Sequence, residues 1–347
     1  MIDMQTLKMK KNDNTALIMK GMTFGIVIML LIYGAVNLFT YNKPFSIDDT
    51  EYIKSITDHH QIYAFPIPEK IDFAGEKVPL ENFDVREALD CEILKVAYWH
   101  SEVYLYLKRA HRYFPIIEKI LKENNMPDDL KYFAVAESGL TNVVSPAGAR
   151  GYWQFMKETA QEYGMEVTSE VDERYDLEKS TQAACEYFKK SYKKYNNWAL
   201  AAASYNVGQS GIDKALKDQS SDNYYDLLLN TETGRYVYRT IALKLIMENP
   251  KEYGYIIRKQ ECYPQIPTND VVVDSVNLDL YRFAQQNEIT YKMLKFHNPW
   301  LRENKLTNKD RKKYTLRIPE KDSRTYNYYK DLMEEEKEQN IKPKSTE

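Results

Sequence analysis

The sequence predicts a mainly α-helical protein that has a small α+β domain near its C-terminus and one transmembrane helix near its N-terminus. Apolar residues recur at intervals of three and four between Asp84 and Asn249, which is the period of amphipathic helices. After Pro264 this period changes, and the order strand, helix, helix, strand (βααβ) is expected. No charged residue lies between Lys20 and Lys43, where a continuous apolar run is just long enough to cross a bilayer.

The apolar run predicts a transmembrane signal anchor over residues 21–40. Lysines precede the run and acidic residues follow it, so the positive-inside rule leaves residues 1–20 in the cytoplasm and exports the chain after about Tyr41. Cleavage as a signal peptide is the competing interpretation, but no convincing small-x-small site follows the run. We therefore expect an uncleaved anchor, followed by a linker over residues 41–79 that has scattered prolines and no clear period.

The composition of the 347-residue chain argues against several functions. A formal net charge of -3 gives no basic footprint for nucleic acid. Three cysteines can form at most one intramolecular pair, and Cys185 lies on an apolar helical face where a buried free thiol is expected. His59 and His60 are adjacent, which is poor spacing for metal ligands, so we expect neither a metal nor another cofactor.

A short buried helix is predicted between Met126 and Gly139. Pro127 suits the first helical position, the two aspartates after it complement the positive end of the helix dipole, and Gly139 is typical of a helix end. The middle of the segment is almost entirely apolar, which predicts burial. Glu137 is then expected in the last turn.

Two forces act on the Glu137 carboxyl at that position. Apolar surroundings disfavour its charged form, and the negative end of the helix dipole disfavours it again, so both raise its pKa toward neutral pH. A carboxylic acid that is still protonated near neutral pH can give its proton to a leaving glycosidic oxygen. From this helix alone, a glutamate that merely caps a surface turn is an equally good interpretation.

The segment that follows supplies groups that can bind a sugar. Residues 145–151 are rich in turn formers and predict a surface loop, after which residues 152–156 are expected to begin a new helix. The rings of Tyr152 and Trp153 can stack on a pyranose, and the Gln154 amide can both donate to and accept from a sugar substituent.

A third segment, residues 198–208, predicts a short alanine-rich helix that ends in Tyr205 and Asn206. Its small side chains let another helix approach closely. Taken alone, this segment is more typical of a protein core than of a binding site.

Three ordered motifs resemble the signature motifs of the lytic transglycosylases. They are Glu137-Ser138, residues 151–156 (GYWQFM) and residues 203–208 (ASYNVG), and within that family the membrane-bound type D enzymes are the most similar. The resemblance extends over roughly residues 73–249. Each motif alone is a weak signal, but three in the right order are a strong one.

The resemblance implies a role for each matching residue. Glu137 would be the catalytic acid that later acts as a base, and Tyr236 would be its partner. Ser138 would steady that carboxylate or the substrate. The residues implied in substrate contacts are Ser138, Gln154, Tyr205, Asn206 and Tyr236, with Tyr152 and Trp153 as further cleft residues.

The resemblance also implies a lysozyme-like catalytic domain over residues 80–260, acting on peptidoglycan glycan strands. Glu137 would break the bond between N-acetylmuramic acid and N-acetylglucosamine without water and leave 1,6-anhydromuramoyl ends. The enzyme would lie in the bacterial periplasm, held in the inner membrane by one helix. Two alternatives stay open, a lysozyme-type hydrolase and a catalytically silent peptidoglycan-binding scaffold. Asp172, Glu173 and Asp176 are expected to be solvated or structural.

The C-terminal segment, residues 264–320, resembles a degenerate LysM peptidoglycan-binding module. Its elements are expected as a strand from Val271, helices at 278–289 and 291–297, and a strand at 314–319. The glycine-aspartate turn usual after the first strand is replaced here, so glycan binding and a purely structural role are equally open. Residues 321–347 are expected to form a charged tail, either a solvated helix end or disordered.

Overall fold

The structure is a computed structural model that describes residue 29 and residues 62–339. The predicted anchor at 21–40, Met29 apart, lies outside this part of the chain. Within the described residues, no helix combines the length and apolar character that crossing a membrane requires. The residues from Ala64 onward form one compact unit.

The first part of this unit is helical, as the apolar period predicts. It opens with an antiparallel pair of short strands and continues through helices of very different length. The strands are β1 (Asp72–Phe73) and β2 (Glu76–Lys77), and the helices are α1 (Phe83–Ala97), α2 (His100–Glu123), α3 (Lys131–Ser138), α4 (Lys157–Glu162), α5 (Leu177–Tyr195), α6 (Trp198–Val207), α7 (Gln209–Gln219) and α8 (Thr231–Glu248).

Helix α8 occupies the centre of this domain, where it packs against α1, α3 and α6. Helix α6 allows this because its buried residues from Ala199 to Ala203 are almost all alanine, and small side chains let two backbones approach closely. Helix α5 packs against α2 and α6. Cys185 on α5 is a buried free thiol, as predicted.

The end of the predicted linker belongs to the core instead. Ile71, Phe73 and Val78 are buried, and the Phe73 ring packs edge-on against Phe133 of α3 at 5.8 Å between centroids. Only Phe73 of these buried residues lies within a strand, and Ile71 and Val78 flank the pair, so strands of two residues give no periodic signal in the sequence. The folded domain therefore begins before residue 80.

The C-terminal part has the predicted strand, helix, helix, strand order with one addition. Its elements are β3 (Thr268–Val273), β4 (Leu278–Asp279), α9 (Leu280–Gln286), α10 (Tyr291–His297), β5 (Lys305–Leu306) and β6 (Tyr314–Pro319). Strands β3 and β6 pair antiparallel, with Val271 opposite Leu316. The short β4–β5 pair was not predicted, because each strand has only two residues.

The helical and C-terminal parts are joined by main-chain hydrogen bonds. The amide of Asp172 donates to the carbonyl of Trp300 at 2.9 Å, and the amide of Arg302 donates to the carbonyl of Glu170 at 2.7 Å. Val171 and Tyr175, which precede α5, are buried in the hydrophobic core of the C-terminal part. This junction is called the 170–175 strap below.

The predicted charged tail is partly a packed helix. Helix α11 (Tyr326–Gln339) buries Met333 and lies against the short 3-10 turn at Lys259–Glu261. Among the described side chains of this helix only Met333 is buried, which gives little sequence signal, so this packing was not expected.

Candidate active site

The predicted helix that carries Glu137 begins later than expected and ends where expected. Residues Asp128–Leu130 form a 3-10 turn, so α3 itself begins at Lys131. Gly139 ends it in the left-handed conformation, with φ of 58°. A Cβ atom on Gly139 would lie 2.5 Å from Cε1 of Tyr106, so glycine is needed for both backbone conformation and space. Glu137 consequently lies in the last turn of α3.

The Glu137 carboxyl is partly buried, and Tyr236 is its hydrogen-bond partner. The Tyr236 hydroxyl donates to Oε1 of Glu137. The pKa of Glu137 is raised to about 7, chiefly by burial. The hydrogen bond from Tyr236 and the charge of Arg239 oppose this rise, and the charge of Glu232 adds to it. Among residues 62–339, no cationic side chain forms an ion pair with Glu137. The carboxyl is therefore held near the midpoint between its two protonation states at neutral pH.

Tyr236 is fixed by aromatic packing. Its ring is buried and stacks on Phe133 of α3, with centroids 5.4 Å apart and an interplanar angle of 22°. The guanidinium of Arg239 lies 5.6 Å from the centroid of the same ring. The buried Nε of Arg239 has no hydrogen-bond partner within the described chain. Arg239 follows Tyr236 by three residues on α8, so both side chains lie on one helix face.

The second motif forms a tight loop rather than the start of a helix. Helix α4 begins only at Lys157, with Met156 as its N-terminal cap residue. Gln154 has φ of 49°, and its Nε2 donates to the carbonyls of Gly151 at 2.7 Å and Val143 at 3.1 Å. A Cβ atom on Gly151 would overlap the carbonyl oxygen of Arg174, so only glycine permits this close approach. The helix prediction for residues 152–156 was wrong because the apolar side chains here are buried by contacts with other elements and not by helix packing.

Tyr152 and Trp153 are predicted to line the cleft, but both side chains are buried in the structure. Trp153 is fully buried, and its Nε1 donates to Oγ1 of Thr181 at 2.8 Å. Tyr152 is 7% exposed, and its ring lies 5.2 Å from that of Tyr113. Trp153 thus contributes to the core in this structure and offers no surface to a ligand.

Ser138 and Tyr205 both hold the second motif in place. The Ser138 hydroxyl donates to the carbonyl of Tyr152 at 2.8 Å and to that of Ala134 at 2.9 Å, so it binds the loop rather than the Glu137 carboxyl. The Tyr205 hydroxyl donates to the carbonyl of Trp153 at 2.7 Å. These bonds connect α3 and α6 through the loop between them.

Asn206 is joined to α8 instead of to Glu137. Its Oδ1 accepts from Oγ1 of Thr233 at 2.7 Å, and its Nδ2 donates to Oε1 of Glu232 at 3.4 Å. Sequence reasoning missed Glu232, Thr233 and Arg239 as neighbours of the site. Their positions within one helical turn of Tyr236 were the available signal.

The acidic residues after the second motif are buried and paired. Asp172 accepts from Nε and Nη2 of Arg174 at 2.9 and 2.8 Å, and Asp176 caps α5 by accepting from the Lys179 amide at 3.0 Å. Glu173 forms an ion pair with Lys179. Of the two roles expected for these acids, the structure supports the structural one, since all three carboxylates are buried rather than solvated.

Two family models match parts of this chain. Residues 114–228 match the family model described as the transglycosylase SLT domain. This chain carries a transglycosylase SLT domain. Residues 269–322 match the soluble lytic transglycosylase C-terminal LysM-like domain. Both matches confirm the resemblance inferred from the motifs and from the strand, helix, helix, strand order.

Two curated proteins are similar to about half of this chain. The membrane-bound lytic murein transglycosylase D of Escherichia coli (strain K12) is 32% identical over 191 residues, which cover 52% of this chain and 41% of that protein. A putative tributyltin chloride resistance protein of Alteromonas sp. (strain M-1) is 26% identical over 186 residues, covering 52% of this chain and 88% of that protein. The chain therefore spans less than half the length of the transglycosylase that it matches.

Two solved structures are also similar. One is the 70 kDa soluble lytic transglycosylase SLT70 of Escherichia coli, with 18% identity, a TM-score of 0.37 and coverage of 52% of this chain and 31% of that one. The other is an inactive variant of the lytic transglycosylase Slt of Pseudomonas aeruginosa, with 19% identity, a TM-score of 0.32 and coverage of 40% and 24%.

Proposed function

We propose that this chain is a peptidoglycan lytic transglycosylase in which Glu137 acts first as acid and then as base. The observation that carries the proposal is the Glu137 carboxyl itself, which lies in an SLT domain with its pKa raised to about 7 and with Tyr236 as its hydrogen-bond partner. A group with a pKa near the working pH can both give and accept a proton within one catalytic cycle. The domain that holds it is proposed to be lysozyme-like and to comprise residues 80–260 together with the hairpin at 72–77 that packs on α3.

The proposed reaction needs one carboxyl because the substrate supplies the nucleophile. Protonated Glu137 gives its proton to the oxygen between N-acetylmuramic acid and N-acetylglucosamine, and the bond from that oxygen to the muramoyl anomeric carbon breaks. The muramoyl acetamide stabilises the positive charge that develops on this carbon. The Glu137 carboxylate then removes the proton of the muramoyl C6 hydroxyl while its oxygen bonds to the anomeric carbon. No water is consumed, in contrast to glycosidases that use two carboxylates.

Other residues position these groups. Tyr236 orients the carboxyl of Glu137 and keeps its pKa from rising further. Gln154 and Asn206 are proposed to contact sugar substituents. Ser138 and Tyr205 are proposed to act by holding the second-motif loop against α3 and α6.

Replacement of the proposed acid tests the assignment. Glu137→Gln keeps the size of the side chain and an oxygen that accepts from Tyr236, but it removes the transferable proton, so nearly all cleavage of purified peptidoglycan should be lost. Glu186→Gln, at an exposed position on α5, is the matched control and should retain activity. Folding is checked by circular dichroism. Retained cleavage by Glu137→Gln would refute the role of Glu137.

Product analysis separates the proposed activity from its two alternatives. Mass spectrometry of the digest should find anhydromuramoyl ends. Products heavier by one water would identify a lysozyme-type hydrolase instead. Intact glycan strands with the parent chain would identify a silent peptidoglycan-binding scaffold.

We further propose that residues 21–40 anchor the chain in the bacterial inner membrane and place the catalytic domain in the periplasm. The uncharged run between Lys20 and Lys43 supports this, as does the membrane-bound description of the Escherichia coli relative. The LysM-like module at 264–320 and the segment at 321–347 would follow on the same side. The chain should remain in the membrane pellet after alkaline extraction, whereas a chain that begins at residue 41 should be released.

A further inference from the structure

A positively charged pocket lies where the loop before the second motif meets the C-terminal part. It has a volume of about 330 Å³, at the lower end of the range typical of small-ligand sites. Its charged lining residues are Arg150, Lys157, Arg174 and Arg302 together with Asp172. We call it the Arg150–Arg302 pocket.

The residues that line this pocket carry more positive charge than negative charge. Arg174 and Asp172 are both buried and satisfy one another through two hydrogen bonds at 2.9 and 2.8 Å. Arg150 approaches the same carboxylate only to 3.6 Å. Among residues 62–339, no carboxylate forms an ion pair with Lys157 or Arg302. The pocket therefore concentrates positive charge in a concave surface, which attracts an anion.

The fold restrains two of these cationic residues, Arg302 and Arg150. The guanidinium of Arg302 lies 4.0 Å from the centroid of the Tyr175 ring, and its Nη1 donates to the carbonyl of Pro299 at 2.7 Å. The amide of Arg150 donates to the carbonyl of Phe155 at 3.1 Å, which fixes Arg150 to the loop that carries Gln154. The guanidinium of Arg302, which is fixed in this way, can bind carboxylate or phosphate with little loss of side-chain entropy, whereas for Arg150 the bond fixes the main chain from which its side chain extends.

We propose that the Arg150–Arg302 pocket binds an oxyanion. The ligand groups are the carboxylates of the peptide stems that branch from the glycan strands, an assignment of source that rests on the function proposed above. Arg150 belongs to the helical domain and Arg302 to the C-terminal part, so the pocket exists only when the two are packed together. The C-terminal part would then contribute to substrate binding through one arginine, irrespective of any glycan affinity of its own.

Titration of an inactive full-length chain tests this site without turnover. Glu137→Gln would be titrated calorimetrically with a disaccharide-tetrapeptide muropeptide, with the same muropeptide after its carboxylates are amidated, and with inorganic phosphate. Adding Arg302→Gln or Lys157→Gln should each weaken binding of the acidic muropeptide about tenfold. Neither should change binding of the amidated one. Lys217→Gln, an exposed lysine on α7, is the matched control.

The outcomes separate the ligand sources. Equal affinity for the acidic and amidated muropeptides in every variant, with no phosphate bound, would overturn the proposal. Phosphate binding that both substitutions weaken, without an effect on the muropeptide, would support an oxyanion pocket and overturn the stem-peptide source. Because Lys157 is exposed, its replacement leaves the fold intact if Arg302→Gln unfolds the chain. Release of anhydromuramoyl products by the parent chain tests the proposed function separately.

Discussion

Glu137 and Asp172 are acidic residues of the same domain, yet their surroundings differ in one decisive respect. Asp172 lies against the guanidinium of Arg174, which donates two hydrogen bonds to its oxygens. Glu137 accepts a hydrogen bond from the neutral Tyr236 hydroxyl, and its pKa is raised to about 7. Removal from water is common to both carboxyl groups, so burial alone does not distinguish a chemical group from a structural one. What distinguishes the two carboxyl groups is the ion pair with a guanidinium, which Asp172 has and Glu137 lacks among the described residues.

The largest effect on stability should come from removing Asp172, the acid that is paired with Arg174. Asp172→Ala would leave the buried guanidinium of Arg174 without its counter-charge, which costs about 3–5 kcal/mol of unfolding free energy. Chemical denaturation followed by circular dichroism measures this loss. The control Glu158→Gln, at an exposed position on α4, should change the unfolding free energy by less than about 0.5 kcal/mol. A similarly small change for Asp172→Ala would remove the distinction between the two acids.

Glu137, which has a hydrogen-bond partner but no ion-pair partner among residues 62–339, should destabilise the folded chain when it ionises. Between its ordinary pKa of 4.5 and its pKa of about 7 in the folded chain, the folded state retains a proton that the unfolded chain has released. The unfolding free energy therefore falls as pH rises through this interval, by about 3 kcal/mol in total. Below pH 4.5 the cost is absent, and above pH 7 it is fully present.

Glu137→Gln should remove this pH-dependent cost. The variant should be more stable than the parent by about 3 kcal/mol at pH 8 and by less than about 1 kcal/mol at pH 5. Urea denaturation at the two pH values measures the difference, and Glu186→Gln controls for loss of an exposed carboxylate. Equal stabilities of variant and parent at pH 8 would mean that Glu137 is not held in its neutral form.

The smallest effect is expected from replacing Tyr236, the neutral hydrogen-bond partner of Glu137. The Tyr236 hydroxyl lowers the pKa of Glu137, so Tyr236→Phe should raise that pKa further and move the alkaline limb of the activity profile upward by on the order of one pH unit. Tyr238→Phe, a buried tyrosine on the same helix, is the matched control. An unchanged alkaline limb would show that the hydroxyl does not set the protonation of the acid.

Sequence reasoning succeeded where local chemistry decides. The position of Glu137 before Gly139 and the direction of its pKa shift followed from apolar neighbours and a glycine helix end. It failed where contacts distant in sequence decide, because nothing near Trp153 indicates that Thr181 will accept from its indole nitrogen. The burial of Asp172 depends in the same way on neighbours from other elements.

The motif match placed Tyr236 beside the acid, but the aromatic stack that fixes its ring was not foreseeable. Phe133 is on α3 and Tyr236 is on α8, two helices that are distant in sequence and pack directly against one another. The same limit applies to the hairpin at 72–77, whose strands are too short to show a period.

The 170–175 strap has a consequence for cooperativity. A chain that ended before the LysM-like module would expose Val171 and Tyr175 to water and leave the amide of Asp172 without its acceptor on Trp300. Asp172 also anchors the buried guanidinium of Arg174, so loss of the module would loosen the support beneath Gly151 and the second-motif loop. The helical part and the C-terminal part should accordingly unfold in a single transition, and the helical part would not be an independent folding unit.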